Sequence, residues 1–256
     1  MSMNGTNQSR FKTIEILGQK FTIRVLSEEE SLERDRLNEL DKEQERKSYI
    51  QQLKINSLMD KKFTDCNFKN FRITEENKKY LQSMYKFSEN FEEMKKHNIG
   101  LLLYGKPGTG KSYMSFCIAN ELLNRGVSVI ACTSSKILQR MRELSSFGQE
   151  GIDSFLSTLQ RVDLLIIDDL GAENNSEWNR AKLYEIIDAR YRAEKPLIIT
   201  TNLDLFKLEG VLTGADGVTR TFDRITEMCQ PIEIKIKPLR KDIGQSKREV
   251  FERLTR

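Results

Sequence analysis

Four short stretches of this chain are apolar at nearly every position. They are Ile99-Gly100-Leu101-Leu102-Leu103-Tyr104, Val127-Ser128-Val129-Ile130-Ala131, Val162 to Ile167, and Pro196-Leu197-Ile198-Ile199-Thr200. Runs of this length without alternation read as strands buried on both faces. Between them the apolar period lengthens to that of a helix. Met114, Ile118 and Leu122 share a face across 112–123, further helical segments fill 135–160, and another covers about 177–193. Helical signals over 74–96 precede the first strand. Strands alternating with helices predict an α/β fold, a parallel sheet sandwiched by helices.

The first sixty residues follow another rhythm. Phe11 to Leu26 alternates (Ile14, Ile16, then Phe21, Ile23, Val25) around Gly18-Gln19, the pattern of a β-hairpin. Residues 27–59 are dense in mixed charge, with sparse apolar positions at Leu32, Leu37, Leu40, Tyr49, Ile50, Leu53 and Leu58. No heptad is sustained, so a long exposed helix is expected rather than a coiled coil. Two readings of that helix stand, a partner-docking arm and a solvated spacer. The expected division is 1–62 as a small N-terminal docking region and 63–256 as the α/β domain.

Composition narrows the classes further. Charged residues make up 31% of the 256 and apolar residues 38%, and the net charge of +4 is too small to argue for nucleic acid by itself. No apolar run approaches the ~20 residues of a membrane span. Met1 to Arg10 lacks an apolar signal core, so a cytoplasmic location is expected. Cys66, Cys117, Cys132 and Cys229 are scattered, which suits buried free thiols. The single His97 has no cysteine or acid beside it to make a metal or catalytic pair.

The chemistry is concentrated just after the apolar runs. Gly105-Lys106-Pro107-Gly108-Thr109-Gly110-Lys111-Ser112 is a complete G-x-x-x-x-G-K-[ST] loop between a strand and a helix. Glycines let successive N–H groups converge on phosphate oxygens, and the helix N-terminus adds its positive end. Lys111 is placed for the β- and γ-phosphates and Ser112 for Mg²⁺, and the nucleotide-binding set runs on to Tyr113. The third run ends in Asp168-Asp169, 57 residues beyond Lys111. Ligands gather at the carboxyl ends of parallel strands, so Asp168 is expected to hold Mg²⁺. Asp169 either orients the attacking water or caps a helix. The fourth run ends in Thr200-Thr201-Asn202, and Asn202 either senses the γ-phosphate or caps the helix beginning near Asp204.

Taken together these segments resemble the AAA+ ATPases, and more narrowly the DnaC/DnaI helicase loaders and the related IstB transposition ATPases. The resemblance rests on Leu103 to Ser112, on Leu165-Ile166-Ile167-Asp168-Asp169-Leu170-Gly171-Ala172-Glu173, and on Trp178 and Arg190-Tyr191. It extends through Pro196 to Leu203 and Arg220-Thr221-Phe222-Asp223-Arg224-Ile225, covering roughly 63–250. It implies an ATPase with ATP and Mg²⁺ as cofactors, whose site a second subunit completes. Arg224 then matches the arginine finger, with Arg220 the other candidate, and Gly244-Gln245-Ser246-Lys247-Arg248 makes Arg248 a nucleotide-sensing arginine in cis. No helical lid is expected after Pro238.

In loaders, residues corresponding to 133–161 meet single-stranded DNA. Here Lys136, Arg140, Arg142 and Arg161 with Phe147 and Phe155 offer that chemistry, although an ordinary amphipathic helix carries the same residues. From Lys235 onward eight basic and three acidic residues leave a net +5, which suits phosphate backbone or plain solvated surface. The implied partners are a ring-shaped replicative helicase, single-stranded DNA and further copies of the chain. A transposition helper of the IstB type and an ATP-switched adaptor with little turnover are the alternatives.

Overall fold

The alternating N-terminal segment pairs with itself. Arg10–Ile16 (β1) and Gln19–Val25 (β2) run antiparallel, with Arg10 opposite Val25 and Ile16 opposite Gln19. Ser27 and Glu30 then form a capping box. The Glu30 N–H donates to Ser27 Oγ at 3.1 Å, and the Ser27 N–H donates to Glu30 Oε2 at 3.0 Å. Behind it Glu28–Asn56 (α1) forms one helix with three acids in its first turn, where the helix dipole favours them. None of its residues is buried, and Leu32, Leu37 and Leu40 face solvent.

The computed structural model describes residues 10–16, 19–146, 148–214, 217–238 and 240–255, so Gly18 of the expected turn lies outside it. Two compact units share the chain, Met1–Tyr49 and Ile50–Arg256. The second unit therefore begins upstream of residue 63. Leu53 and Met59 pack on its core, the Ala131 N–H donates to Ser57 O at 2.8 Å, and Lys136 Nζ meets Leu58 O at 2.8 Å.

In that unit Lys78–Glu89 (α2) and Phe91–Lys96 (α3) lead to Gly100–Tyr104 (β3). Then come Lys111–Asn124 (α4), Val129–Thr133 (β4), Ser134–Ser145 (α5), Gln149–Arg161 (α6) and Leu164–Asp168 (β5). Glu177–Arg192 (α7), Leu197–Thr201 (β6), Leu205–Leu212 (α8), Arg220–Met228 (α9), Cys229–Glu233 (β7) and Arg240–Thr255 (α10) complete it. The sheet is parallel throughout, in the order β4-β5-β6-β3-β7. Alternate residues of each strand feed opposite faces. Leu101, Leu103, Leu164, Ile166 and Ile198 pack with α2 and α4, while Leu102, Leu165, Ile167, Leu197 and Ile199 pack with α5, α7, α8 and α9. Each fully buried Leu or Ile contributes about 2 kcal/mol, which is why the runs are apolar at every position rather than every second one.

Strand β7 carried no apolar signature. Among the described residues it pairs only with β3, and Pro231, which has no N–H to offer, is tolerated because this is an edge. Within the basic C-terminal segment, Arg240–Thr255 form the helix α10. All four cysteines are buried and free.

Two charged side chains tie the sheet's other end together. Arg190 on α7 is fully buried, and its guanidinium meets five carbonyls, those of Leu159, Gln160, Val162, Asp163 and Pro196, at 2.5–3.3 Å. Asp163, ahead of β5, accepts from Lys95 Nζ at 2.5 Å and Ser128 Oγ at 2.7 Å, with Lys195 Nζ at 3.6 Å. Burial alone would raise the Asp163 carboxyl, but the bonds from Lys95 and Ser128 overcome it and hold the group at about 2. A carboxylate depressed on folding stabilises the native state above its ordinary value near 4 and ceases to as pH falls toward 2. Asp163→Asn should therefore cost about 2 kcal/mol at neutral pH and flatten the loss of stability between pH 4 and 2, read by urea unfolding across that range. An unchanged acid limb would show that the depressed carboxylate lies elsewhere.

Candidate nucleotide-binding site

At the carboxyl ends of β3, β5 and β6 lies a cavity of about 440 Å³, and most of the sequence-derived residues meet there. Pro107, Gly108, Gly110, Lys111, Ser112, Tyr113, Asp168, Asp169 and Asn202 all line it. The loop is braced from within. The Thr109 hydroxyl, fully buried, donates to Lys106 O at 3.0 Å, and Lys111 Nζ donates to Gly105 O and Lys106 O at 2.8 Å each. Gly110 is the N-cap of α4 with φ +89°, and an added Cβ would sit 3.1 Å from the Phe71 ring. The left-handed conformation favours glycine there, and a side chain would also press on the Phe71 ring.

The strand-end groups form one connected set. Lys111 Nζ also donates to Asn202 Oδ1 at 2.9 Å, and Asn202 Nδ2 donates to Asp169 Oδ1 at 2.6 Å. One amide thus bridges an ammonium and a carboxylate, which only this orientation of its oxygen and nitrogen satisfies. The helix caps fall to other residues. Asp204 caps α8 and Ser176 caps α7, so neither Asn202 nor Asp169 is spent on a helix end. Asp169 stands in the left-handed region at φ +57°, its N–H donating to Thr200 Oγ1 at 3.0 Å. A non-glycine residue held there costs of order 1 kcal/mol or more. The same Thr200 hydroxyl donates to Asp168 Oδ1 at 2.6 Å.

Asp168 is 3% exposed. Burial pushes its carboxyl up, hydrogen bonds from Thr200 and Ser112 pull it down, the Asp169 charge raises it and the Lys111 charge lowers it, with a net rise. Among the described residues no cluster of three or more His, Cys, Asp or Glu side chains could hold a metal alone. Mg²⁺ takes one or two protein ligands and completes its shell with phosphate oxygens and water. Ser112 and Asp168, in contact beside Lys111, fit that role.

The other half of the cavity wall was not legible from motifs. Lys62, Phe63, Asn70, Phe71 and Arg72 line it, from the segment ahead of α2, with Thr133 from β4. Phe71 meets Tyr113 edge to face, with centroids 4.9 Å apart, and Phe63 stacks on Phe116 at 4.1 Å. The segment is hooked to the phosphate-loop helix by Asn120, whose amide donates to Phe63 O at 2.9 Å and Cys66 O at 2.8 Å. The cavity therefore combines loop amides and a lysine suited to phosphate with aromatic rings suited to a nucleobase.

The comparisons with known proteins agree with this geometry. The model of the family described as IstB-like ATP binding protein matches residues 12–247. The chain belongs to that family. This IstB-like ATP-binding protein is 30% identical over 148 residues to the replicative helicase loader DnaC of Escherichia coli K12, which is 58% of this chain and 60% of that one. It is 29% identical over 161 residues to the uncharacterized protein YdaV of the same strain, 63% of this chain and 62% of that one. It thus spans about three fifths of the length of these curated relatives. Among solved structures, the DnaC helicase loader superposes with a TM-score of 0.59 at 26% identity, over 69% of this chain and 100% of that one. DnaI gives 0.58 at 26%, over 70% and 93%. The replication initiator DnaA bound to AMPPCP and single-stranded DNA gives 0.56 at 26%, over 73% and 55%. The α/β sandwich is the AAA+ type of these structures.

The remaining sequence-derived residues of the IstB-like protein lie away from the cavity. Arg220 and Arg224 stand one turn apart on α9, and Arg248 is exposed on α10; none of the three lines the pocket. Of the residues proposed for DNA, Lys136 is bound to Leu58 O and to Asp60 Oδ1 at 2.7 Å. Arg142 donates to Asn179 Oδ1 at 2.5 Å and lies over the Trp178 ring at 5.0 Å. Arg140 is exposed and pairs with Glu143 at 3.2 Å. Phe155 packs against the core, and Phe147 lies outside the described residues. Arg161 is exposed at the end of α6, so two of the four cations, Lys136 and Arg142, are engaged within the fold.

Proposed function

We propose that the chain is an ATP-driven helicase loader. It binds ATP with Mg²⁺ in the cavity, hydrolyses it where Arg224 of a second copy completes the site, and delivers a ring helicase to single-stranded DNA in the cytoplasm. The convergence of Lys111, Ser112, Asp168, Asp169 and Asn202 on one cavity carries the reading, in a chain similar to DnaC and DnaI.

Each residue has a chemical task in this scheme. Lys111 and the loop amides hold the phosphates, while Ser112 and Asp168 hold Mg²⁺, which neutralises charge developing on the transferred phosphoryl group. Asp169 orients the attacking water, and Asn202 fixes Asp169 in place. Since Asn202 also accepts from Lys111, a triphosphate competing for the ammonium would alter the hold on Asp169. That links nucleotide state to the catalytic carboxylate. For DNA, similarity to a DnaA structure containing single-stranded DNA supports strand binding. Exposed Arg140 and Arg161 and the basic C-terminal helix offer cations for it.

A second reading is a transposition helper acting on duplex DNA, to which the IstB resemblance points and which membership of the IstB-like ATP binding family leaves open. The two separate by partner. The unit of residues 1–49 exposes Phe11, Phe21 and Leu32, which suits docking. A chain lacking residues 1–49 should bind ATP within about twofold of the full chain and lose capture of the host's hexameric helicase in a pull-down. Undiminished helicase capture would refute the docking role, and capture of a transposase by the full chain would favour the second reading.

A further inference from the structure

The surroundings of Arg224 contain a feature that the nucleotide site does not use. Asp188, on α7, is a carboxylate only 4% exposed, and two arginines divide it. Its Oδ1 lies 2.5 Å from Arg224 Nη1 on α9, and its Oδ2 accepts from Arg192 Nε at 2.7 Å and from Arg192 Nη2. The Arg224 guanidinium also lies over two rings, 4.8 Å from the centre of Tyr184 and 5.4 Å from that of Tyr191. Tyr191 is in turn tied to α9, its hydroxyl donating to Glu227 Oε1 at 3.0 Å. Tyr184, Asp188 and Arg192 recur every four residues, so one face of α7 presents ring, carboxylate and guanidinium in a row. Arg224 keeps 24% of its side chain exposed and Arg192 keeps 74%.

We propose that Asp188, flanked by Tyr184 and Tyr191, is a positioning residue that holds the Arg224 guanidinium in place for the triphosphate bound by a second copy of the chain. The inference rests on the reading of Arg224 as the residue that completes a neighbour's site. A free arginine side chain loses its rotamer freedom whenever its planar fork meets phosphate oxygens; one already fixed by a carboxylate and two rings has lost it beforehand. Two guanidiniums on one carboxylate leave an excess positive charge at the surface, which a triphosphate would attract. Lysine at 224 could reach the carboxylate but would lack the flat face that the rings hold.

Subunit mixing tests this. Asp188→Asn should lower kcat for assembly-dependent ATP hydrolysis about tenfold while the KM for ATP stays within twofold, since Asp188 does not line the cavity. Tyr184→Leu, which keeps the carboxylate, should lower kcat severalfold, and Arg224→Lys should remain as slow as Arg224→Ala. Mixed with Lys111→Ala chains, which keep an intact Arg224 but no nucleotide site, Asp188→Asn chains should regain activity several times the sum of the two alone. A mixture no faster than that sum means that the substitution harms its own ATP site, and overturns the proposal. So does wild-type kcat in Asp188→Asn. The outcomes separate the two readings. If Arg224→Ala hydrolyses normally, the shared-site reading itself fails. If Arg224→Ala is slow and rescued by mixing while Asp188→Asn is normal, only the positioning role fails.

Discussion

Lys111→Ala weakens ATP binding roughly 10²–10³-fold while leaving the thermal unfolding midpoint within a few degrees. Lys111 is 5% exposed, and charge-assisted bonds of this kind contribute about 1.5–3 kcal/mol each. Contact with both the β- and γ-phosphates therefore amounts to about 3–4 kcal/mol, or two to three powers of ten in Kd. The fold loses little, because the carbonyls that Lys111 meets belong to Gly105 and Lys106, which are half-buried and exposed, so water replaces the lost donor. The third acceptor is Asn202 Oδ1, so the substitution also frees the amide that holds Asp169. Any residual hydrolysis should fall further than binding does, and saturating ATP should not restore it. Titration with a fluorescent ATP analogue and a melting curve decide the matter: unchanged affinity would mean that the loop at 105–112 is not the phosphate site, and a large drop in midpoint would mean that Lys111 is chiefly a structural brace.

The phosphate half of the site was legible in sequence because its parts are local. A strand, a glycine loop and a helix follow one another within 99–123, and each remaining polar group sits at the end of an apolar run. The topology explains why those runs meet: β6 lies between β3 and β5, so Asn202 falls between Lys111 and Asp169. The aromatic half was not legible. The segment of Lys62, Phe63 and Phe71 is seated by long-range contacts, ring packing on Phe116 and Tyr113 and the Asn120 amide pinning the carbonyls of Cys66 and Phe63 from 54 to 57 positions away, which no local pattern announces. The cations expected at DNA show the converse, charge that a local pattern reveals while its partners stay hidden. Lys136 and Arg142 look available on a helical wheel, yet the first closes α5 onto residues 58–60 and the second stacks on Trp178. Charge on a helix face says that a cation is present, not that it is free. Strand β7 escaped notice for a third reason, since an edge strand paired on one side needs no apolar run.

Arg190→Met should destabilise the protein by about 3–5 kcal/mol, the largest stability loss expected of any single substitution discussed for this chain. The arginine is fully buried, and its guanidinium satisfies carbonyls from the end of α6, from the 162–163 approach to β5 and from Pro196 at the entry to β6. These are the points where three elements turn into the sheet, and their carbonyls are not all paired by the strands themselves. Methionine fills much of the volume but donates nothing, and each buried acceptor left without a donor costs about 1–3 kcal/mol. Lysine is no substitute, because a point ammonium with three protons cannot span acceptors arranged around a planar fork. Arg190→Lys should therefore recover less than half of the loss. The effect should appear in unfolding by urea as a lower midpoint at constant slope, with ATP affinity unchanged under conditions where the variant is folded. An unfolding midpoint within experimental error of the wild type would show that water replaces the guanidinium at these carbonyls, and that the junction of α6, β5 and β6 is held by packing alone.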